Sequence, residues 1–290
     1  MKFDKNTKIL IVGLGLIGGS YAKALSDEGY FVGAIDKKKS SVEYALKNGL
    51  IQVGETSVKK DFVKDFDLIV FALYPHDFIN WIKEYQSSIK SGALITDVTG
   101  VKSFVVENVQ KTLRGDLEFV GAHPMAGKEV SGVENADSKI FVGANYIVTP
   151  TKKNTDENVQ AVKDLGRALG FERISSLSPE EHDETVGFLS HLTHCIAVSL
   201  MVSKKSHHLA EYTGDSFRDL TRIAKINDEM WSELFLANKD ELLKQMDLFE
   251  EKFNQLKEDI KNDNREKIRE TLRESTARRK VFDKDAKETK

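Results

Sequence analysis

Short apolar runs punctuate the start of the chain at Lys8–Val12 (KILIV), Phe31–Ile35 (FVGAI), 68–73 (LIVFAL) and 93–97 (ALITD). Each is rich in isoleucine, valine or leucine and bounded by polar or turn residues, as expected of strands buried on both faces of a parallel sheet. Between them, segments 16–28, 40–48 and 76–89 carry apolar residues at helical spacing. This alternation predicts an α/β fold, a doubly wound parallel sheet covered by helices. Strands near 118–120 and 146–148 and a helix over 156–169 extend the pattern.

Beyond Pro179 the pattern changes: no strand is predicted and no further proline occurs. Ser178-Pro179-Glu180-Glu181 reads as a helix start, with a serine cap, proline in the first turn and then acids. Helices are predicted over 185–202, 211–225, 228–235 and Lys239–Lys261. Phe253, Leu256, Ile260, Ile268 and Leu272 continue the helical spacing towards Phe282. The boundary falls near 170–178, giving a domain over 1–175 and an all-helical C-terminal domain over 176–290.

The first strand runs into Gly13-x-Gly15-x-x-Gly18 and then a helical segment, which makes the sheet Rossmann-like. In this fingerprint the first glycine permits a tight turn, the second lets backbone approach a pyrophosphate, and the third lets helix pack on strand. The helix N-terminus offers unpaired N–H groups to phosphate. Asp36, eighteen residues beyond Gly18, ends the second strand, where an acid binds the ribose hydroxyls of NAD. Gly13, Gly15, Leu16, Ile17, Gly18, Asp36 and the strand-end Leu73 are the candidate cofactor-binding residues. Lys37, Lys38 and Lys39 could attract a 2′-phosphate, but the Asp36 carboxylate opposes it more directly, so NAD is favoured over NADP.

Charge is abundant but balanced: 43 basic and 46 acidic side chains leave a net −3, unlike the basic footprint of a nucleic-acid binder. No stretch approaches the roughly 20 apolar residues of a membrane span. Lys2, Lys5 and Lys8 imitate an export signal, but Asp4 and the fingerprint glycines interrupt it. The single cysteine, Cys195, excludes an intrachain disulfide and suits a reducing compartment. Apolar and small neighbours make it a packed thiol. A soluble, cytoplasmic protein is expected.

GAHPMAGKEVSG, residues 121–132, fences His123 with small residues and glycines. The residue before Pro124 is biased towards extended backbone, which sets His123 at a strand end, where open α/β sheets bind ligands. Segment 97–102 (DVTGVK) follows its own strand and could line the same crevice. Arg218 and Arg222 lie four apart, on one face of a helix, where guanidinium forks could grip carboxylates; a surface pair bonded to neighbouring acids is the alternative.

Taken in order, residues 13–20, 97–102, HPMAG (123–127), SHLTH (190–194) and TRIA (221–224), with Met230-Trp231, resemble the prephenate dehydrogenase family over roughly residues 8–240. HPMAG and TRIA are far more diagnostic than the glycine fingerprint. The resemblance implies NAD-dependent oxidative decarboxylation of prephenate to 4-hydroxyphenylpyruvate, on the route to tyrosine, by a homodimer joined through its helical domain. It implies His123 as acceptor of the ring-hydroxyl proton, Arg222 as the leading carboxylate ligand with Arg218 beside it, and His191 and His194 as site-lining residues. No metal is implied, since that pair lacks a third ligand. His182 suits either the cleft entrance or a helix surface, and His207 and His208 suit exposed positions. Relatives commonly carry serine where this chain has Gly100, so Thr99 is the candidate hydroxyl beside His123 at the substrate. Two alternatives stand beside this reading: an arogenate dehydrogenase, for which Glu129 is the candidate ammonium partner, and a non-catalytic NAD-binding sensor.

Overall fold

The computed structural model describes residues 1–205 and 208–282. The chain divides into two compact units, Met1–Lys239 and Asp240–Lys290.

The first unit opens with strands β1 (Lys8–Val12), β2 (Phe31–Ile35), β3 (Val53–Glu55), β4 (Leu68–Phe71), β5 (Leu94–Asp97) and β6 (Glu118–Phe119). They form a parallel sheet in the order β3-β2-β1-β4-β5-β6. Helices α1 (Leu16–Asp27), α2 (Lys39–Lys47), α3 (Lys60–Val63), α4 (Pro75–Tyr85) and α5 (Ser103–Thr112) connect them. Alternate side chains of each strand feed different cores. Ile9, Ile11, Val32, Val70 and Leu94 face one cluster, and Leu10, Val12, Ile69, Phe71 and Ile95 face the other. Continuous apolar runs are what burial on both faces demands.

One expectation is corrected after β6. The chain does not add further parallel strands to this sheet. It turns at Val120, whose N–H still bonds Ile95, and starts β7 (Gly121–Pro124) in a second sheet with β8 (Asn145–Thr149) and β9 (Arg173–Ser176). Strand β7 runs antiparallel to β8, and β8 parallel to β9 after α6 (Asp156–Ala168). The run 118–124 is extended throughout, so periodicity alone could not reveal the change of sheet.

The helices after Pro179 begin with α7 (Pro179–Val186), whose Ser178–Glu181 capping box satisfies the first-turn donors. A π turn over Gly187–Leu192 interrupts the helix predicted over 185–202, and α8 (Thr193–Val202) completes it. Contrary to expectation, Pro179–Val202 is long and apolar enough to cross a membrane by length and composition. Three of its polar residues, His182, Asp183 and His191, are nevertheless buried, with bonds described below. The helix predicted over 211–225 is also broken, into α9 (Asp215–Thr221) and a 3-10 turn at Arg222–Ala224. Helix α10 (Asp228–Ala237) returns to the sheet: Leu234 enters the second core, Glu233 accepts the His76 N–H at 2.6 Å, and Asn227 donates to the Tyr74 hydroxyl at 3.1 Å.

The second unit holds most of α11 (Lys239–Lys261), then α12 (Arg265–Arg279). Asp263 takes a left-handed φ of 54° at the turn between them, and the Asn264 side chain caps α12. His207 and residues 283–290 lie outside the described residues.

Candidate active site

The glycine loop is built as the fingerprint requires. Gly13 has φ +99°, and a Cβ there would sit 2.4 Å from the Ala72 carbonyl oxygen; one on Gly18 would sit 1.9 Å from the Gly13 oxygen. Gly15 is the opposite case, with nothing within 4 Å of its Cβ position. It precedes α1, whose first turn, Leu16, Ile17 and Gly18, presents backbone N–H groups to that open side. Asp36 follows β2; its carboxylate accepts the N–H of Leu14 at 2.6 Å and of Lys38 at 2.7 Å. The carboxylate is thereby fixed to the fingerprint loop. Leu73 packs against the second core just beyond β4. These residues fit a dinucleotide: open backbone donors for phosphate and an anchored acid for ribose hydroxyls.

His123 lies within β7 opposite Ile147. What holds it there is a buried ion pair. Asp97, at the end of β5, receives the Lys102 ammonium at 2.6 Å with both side chains fully buried, and its other oxygen accepts the Ala122 N–H at 3.0 Å. Burial pushes the Lys102 amine down in pKa, and Asp97 opposes that shift. Thr99 belongs to this network. Its hydroxyl donates to Asp97, lies 2.9 Å from the Val101 carbonyl and accepts from Lys102 Nζ at 3.0 Å. The Thr99 hydroxyl, expected beside His123 at the substrate, is held by the buried Asp97–Lys102 pair. Gly100 is the residue beside the histidine: its Cβ position is 3.8 Å from His123 Cε1 and 3.5 Å from Leu234.

On its Nδ1 edge His123 meets His182 Nε2 at 2.9 Å, and His182 Nδ1 lies 2.8 Å from Asp183 Oδ1. His182 is thus a buried contact of the candidate base, a role that sequence spacing left open. Asp183 and Asn238 carried no sequence signal. Burial, then His182, Lys102 and His191, push the His123 pKa well below 6.5, so the imidazole is neutral near neutral pH.

The π turn carries His191, buried and pushed down to about 4 mainly by burial. Asn238 Nδ2 lies 3.3 Å from its Nδ1 and donates to the Asp183 carbonyl at 2.9 Å. His194, a turn later, stacks on Trp231 at 3.7 Å between ring centroids, and His191 meets the same indole edge-on at 6.0 Å. Burial lowers the His194 pKa, while Glu129 and Arg222 act on it electrostatically in opposite senses.

Arg218 and Arg222 pair with different acids. Arg218 is exposed, pairs with Asp215 at 3.2 Å and lines an open pocket of about 560 Å³ with Met201, Phe217 and Lys225, a pocket that His123 and Gly100 do not line. Arg222, in the 3-10 turn that ends α9, pairs with Glu129 from the HPMAG loop. The break in the helix leaves Arg218 within α9 and Arg222 in the turn that follows. Cys195 is half-buried, with burial raising its thiol pKa. His208 is exposed and pairs with Glu211.

This geometry has close counterparts. The family model described as "Prephenate dehydrogenase, nucleotide-binding domain" matches residues 21–173, and "Prephenate dehydrogenase, dimerization domain" matches 178–274. The prephenate dehydrogenase of Bacillus subtilis is 35% identical over 82% of this chain and 66% of its own length. That of Lactococcus lactis is 32% identical over 86% and 70%. A crystal structure of Aquifex aeolicus prephenate dehydrogenase, in complex with hydroxyphenyl propionate and NAD+, superposes with a TM-score of 0.87 at 34% identity, covering 96% of this chain and 98% of that one. Synechocystis arogenate dehydrogenase gives 0.82 at 25% identity, covering 96% and 100%. With both halves matched and the fingerprint loop, His123 and the helical histidines set in one unit, the chain belongs to the prephenate dehydrogenase family.

Proposed function

We propose that this chain converts prephenate to 4-hydroxyphenylpyruvate and carbon dioxide, reducing NAD+. The observation that carries the reading is His123: neutral, half-buried, bonded on one ring nitrogen, with its Cε1 edge towards Gly100. Gly13, Gly15, Leu16, Ile17, Gly18 and Asp36 would hold the dinucleotide, with Leu73 beside it. When bound, NAD+ would supply the acceptor for the hydride that leaves the ring carbon bearing the hydroxyl.

His123 takes the proton of that hydroxyl as carbonyl character develops. Loss of the ring carboxylate as carbon dioxide leaves its electron pair in the ring, which becomes aromatic. The proton then returns from His123 to the phenolate oxygen, so the base ends neutral. Arg222 is the proposed ligand of a substrate carboxylate, which must exchange with Glu129 for the guanidinium. Arg218 is left with an outer, electrostatic part. Trp231, His191 and His194 supply an aromatic wall whose imidazoles are uncharged.

The matched stretches 21–173 and 178–274 support assigning 1–175 to nucleotide binding and 176–290 to the helical part. The second description, and exposed Phe188, Leu189, Met201 and Val202 within that stretch, support a homodimer through it. The single cysteine supports a reducing, cytoplasmic setting.

The experiment is NADH formation with prephenate and with arogenate, each with NAD and NADP. Turnover of prephenate with NAD is expected. Preference for arogenate would move the assignment to that substrate, and NAD binding without turnover of either would leave a sensor.

A further inference from the structure

We propose that Asp183 and His182 form a positioning relay that holds His123 in the single tautomer able to act as a base, a deepening that rests on the reading above. Asp183 Oδ1 accepts the Lys102 backbone N–H at 2.8 Å, and Oδ2 accepts that of Ser103 at 2.7 Å. Burial pushes this carboxyl up, but the His182 bond and the two backbone donors outweigh it and hold it below the ordinary value. An ionised carboxylate only accepts, so His182 Nδ1 carries the hydrogen of their 2.8 Å bond. Burial keeps His182 neutral, which leaves its Nε2 as a lone pair. Across the 2.9 Å contact His123 Nδ1 must then be the donor. His123 Nε2 is left unprotonated, ready for the substrate hydroxyl.

The relay also answers an electrostatic problem. Three groups raise the energy of a protonated His123: His182 from α7, Lys102 ahead of α5, and His191 from the π turn. Asp97, at the end of β5, is already bound to Lys102. As His123 Nε2 takes the hydroxyl proton, its Nδ1 proton can pass to His182 Nε2, and the positive charge comes to rest beside Asp183. When the product phenolate takes its proton back from His123, the Nδ1 proton returns and no net proton has moved. His182 and Asp183 touch neither substrate nor cofactor in this account; they act through His123.

The test begins with the unaltered full chain. Nitrogen-15 NMR of the His123 ring near neutral pH should show hydrogen on Nδ1 and a free Nε2; hydrogen on Nε2 would overturn the relay. In Asp183→Asn the side-chain amide can donate to His182 Nδ1, which reverses both rings and blocks His123 Nε2. By analogy with the asparagine variant of a serine-protease triad, kcat should fall on the order of 10³-fold or more, while NAD affinity and substrate KM stay close to the parent's. His182→Leu should lose kcat likewise, and His182→Gln, whose amide oxygen can accept from His123 Nδ1, should recover part of it. A folded Asp183→Asn enzyme with the parent's kcat would also sink the proposal. The ring measurement needs no substrate: the expected tautomer in a chain that fails to oxidise prephenate would support the relay and refute the assigned reaction instead.

Discussion

Asp97 accepts the backbone N–H of Ala122 at 3.0 Å, from a strand in a different sheet. That bond ties the residue before His123 to the end of β5, and the other carboxylate oxygen holds the buried Lys102. The candidate base is thus positioned through backbone by an ion pair that solvent does not reach. Asp97→Asn would strand the Lys102 ammonium in the core, and breaking such a pair costs about 3–5 kcal/mol. Urea unfolding should report a loss of that size, and a change within experimental error would show that the pair does not hold β7.

Thr99→Val tests the same network from its hydroxyl. Removing one partner of a buried bond costs about 1–3 kcal/mol, so unfolding should shift by that amount while substrate KM changes little. A large rise in KM with unchanged stability would return Thr99 to the substrate.

His123→Asn should lower turnover by about 10²–10⁴-fold, the usual worth of a general base, with NAD binding intact. The imidazole must be neutral to accept a proton, and its pKa is pushed well below 6.5. The acid limb of kcat/KM should accordingly lie well below 6.5, with activity retained through mildly acidic pH. A limb at 6.5 or above would contradict the lowered pKa assigned to this ring.

Arg222→Ala should raise substrate KM by roughly 10–100-fold, the equivalent of a hydrogen bond to a charged group worth about 1.5–3 kcal/mol. Glu129→Gln removes the competing carboxylate and should lower KM for prephenate. Steady-state kinetics on the two variants check this pair, and an Arg222→Ala enzyme with the parent's KM would remove the guanidinium from substrate binding.

His191 links stability to pH. Its folded pKa is about 4 against the ordinary histidine value of 6.5, so the unfolded chain binds the extra proton between those values. Stability therefore falls as pH drops from 6.5 towards 4 and is fully retained above 6.5, with about 3 kcal/mol at stake. His123 and His182 shift in the same direction. Thermal unfolding across this range should show the loss, and His191→Gln should reduce it.

Much of this was legible along the chain. Strands β1 and β2 fall on Lys8–Val12 and Phe31–Ile35 as predicted, because a strand buried on both faces must be continuously apolar and local composition records that. The glycine fingerprint was equally local, since a steric requirement at Gly13 or Gly18 is met by that residue type alone. The second sheet was not legible: β6 and β7 are contiguous extended backbone, and only pairing with β8 separates them.

The chain by itself determined that there would be a nucleotide-binding α/β half, a helical half, and a histidine held in tight small-residue backbone, because each is a demand on neighbouring residues. Only tertiary structure decided which groups surround that histidine. Asp97 reaches Ala122 across 25 residues, His182 reaches His123 across 59, and Lys102 meets Asp183 across 81. Hydrogen bonds and buried charges are fixed by distance in space, and no local periodicity encodes which distant partner will satisfy them.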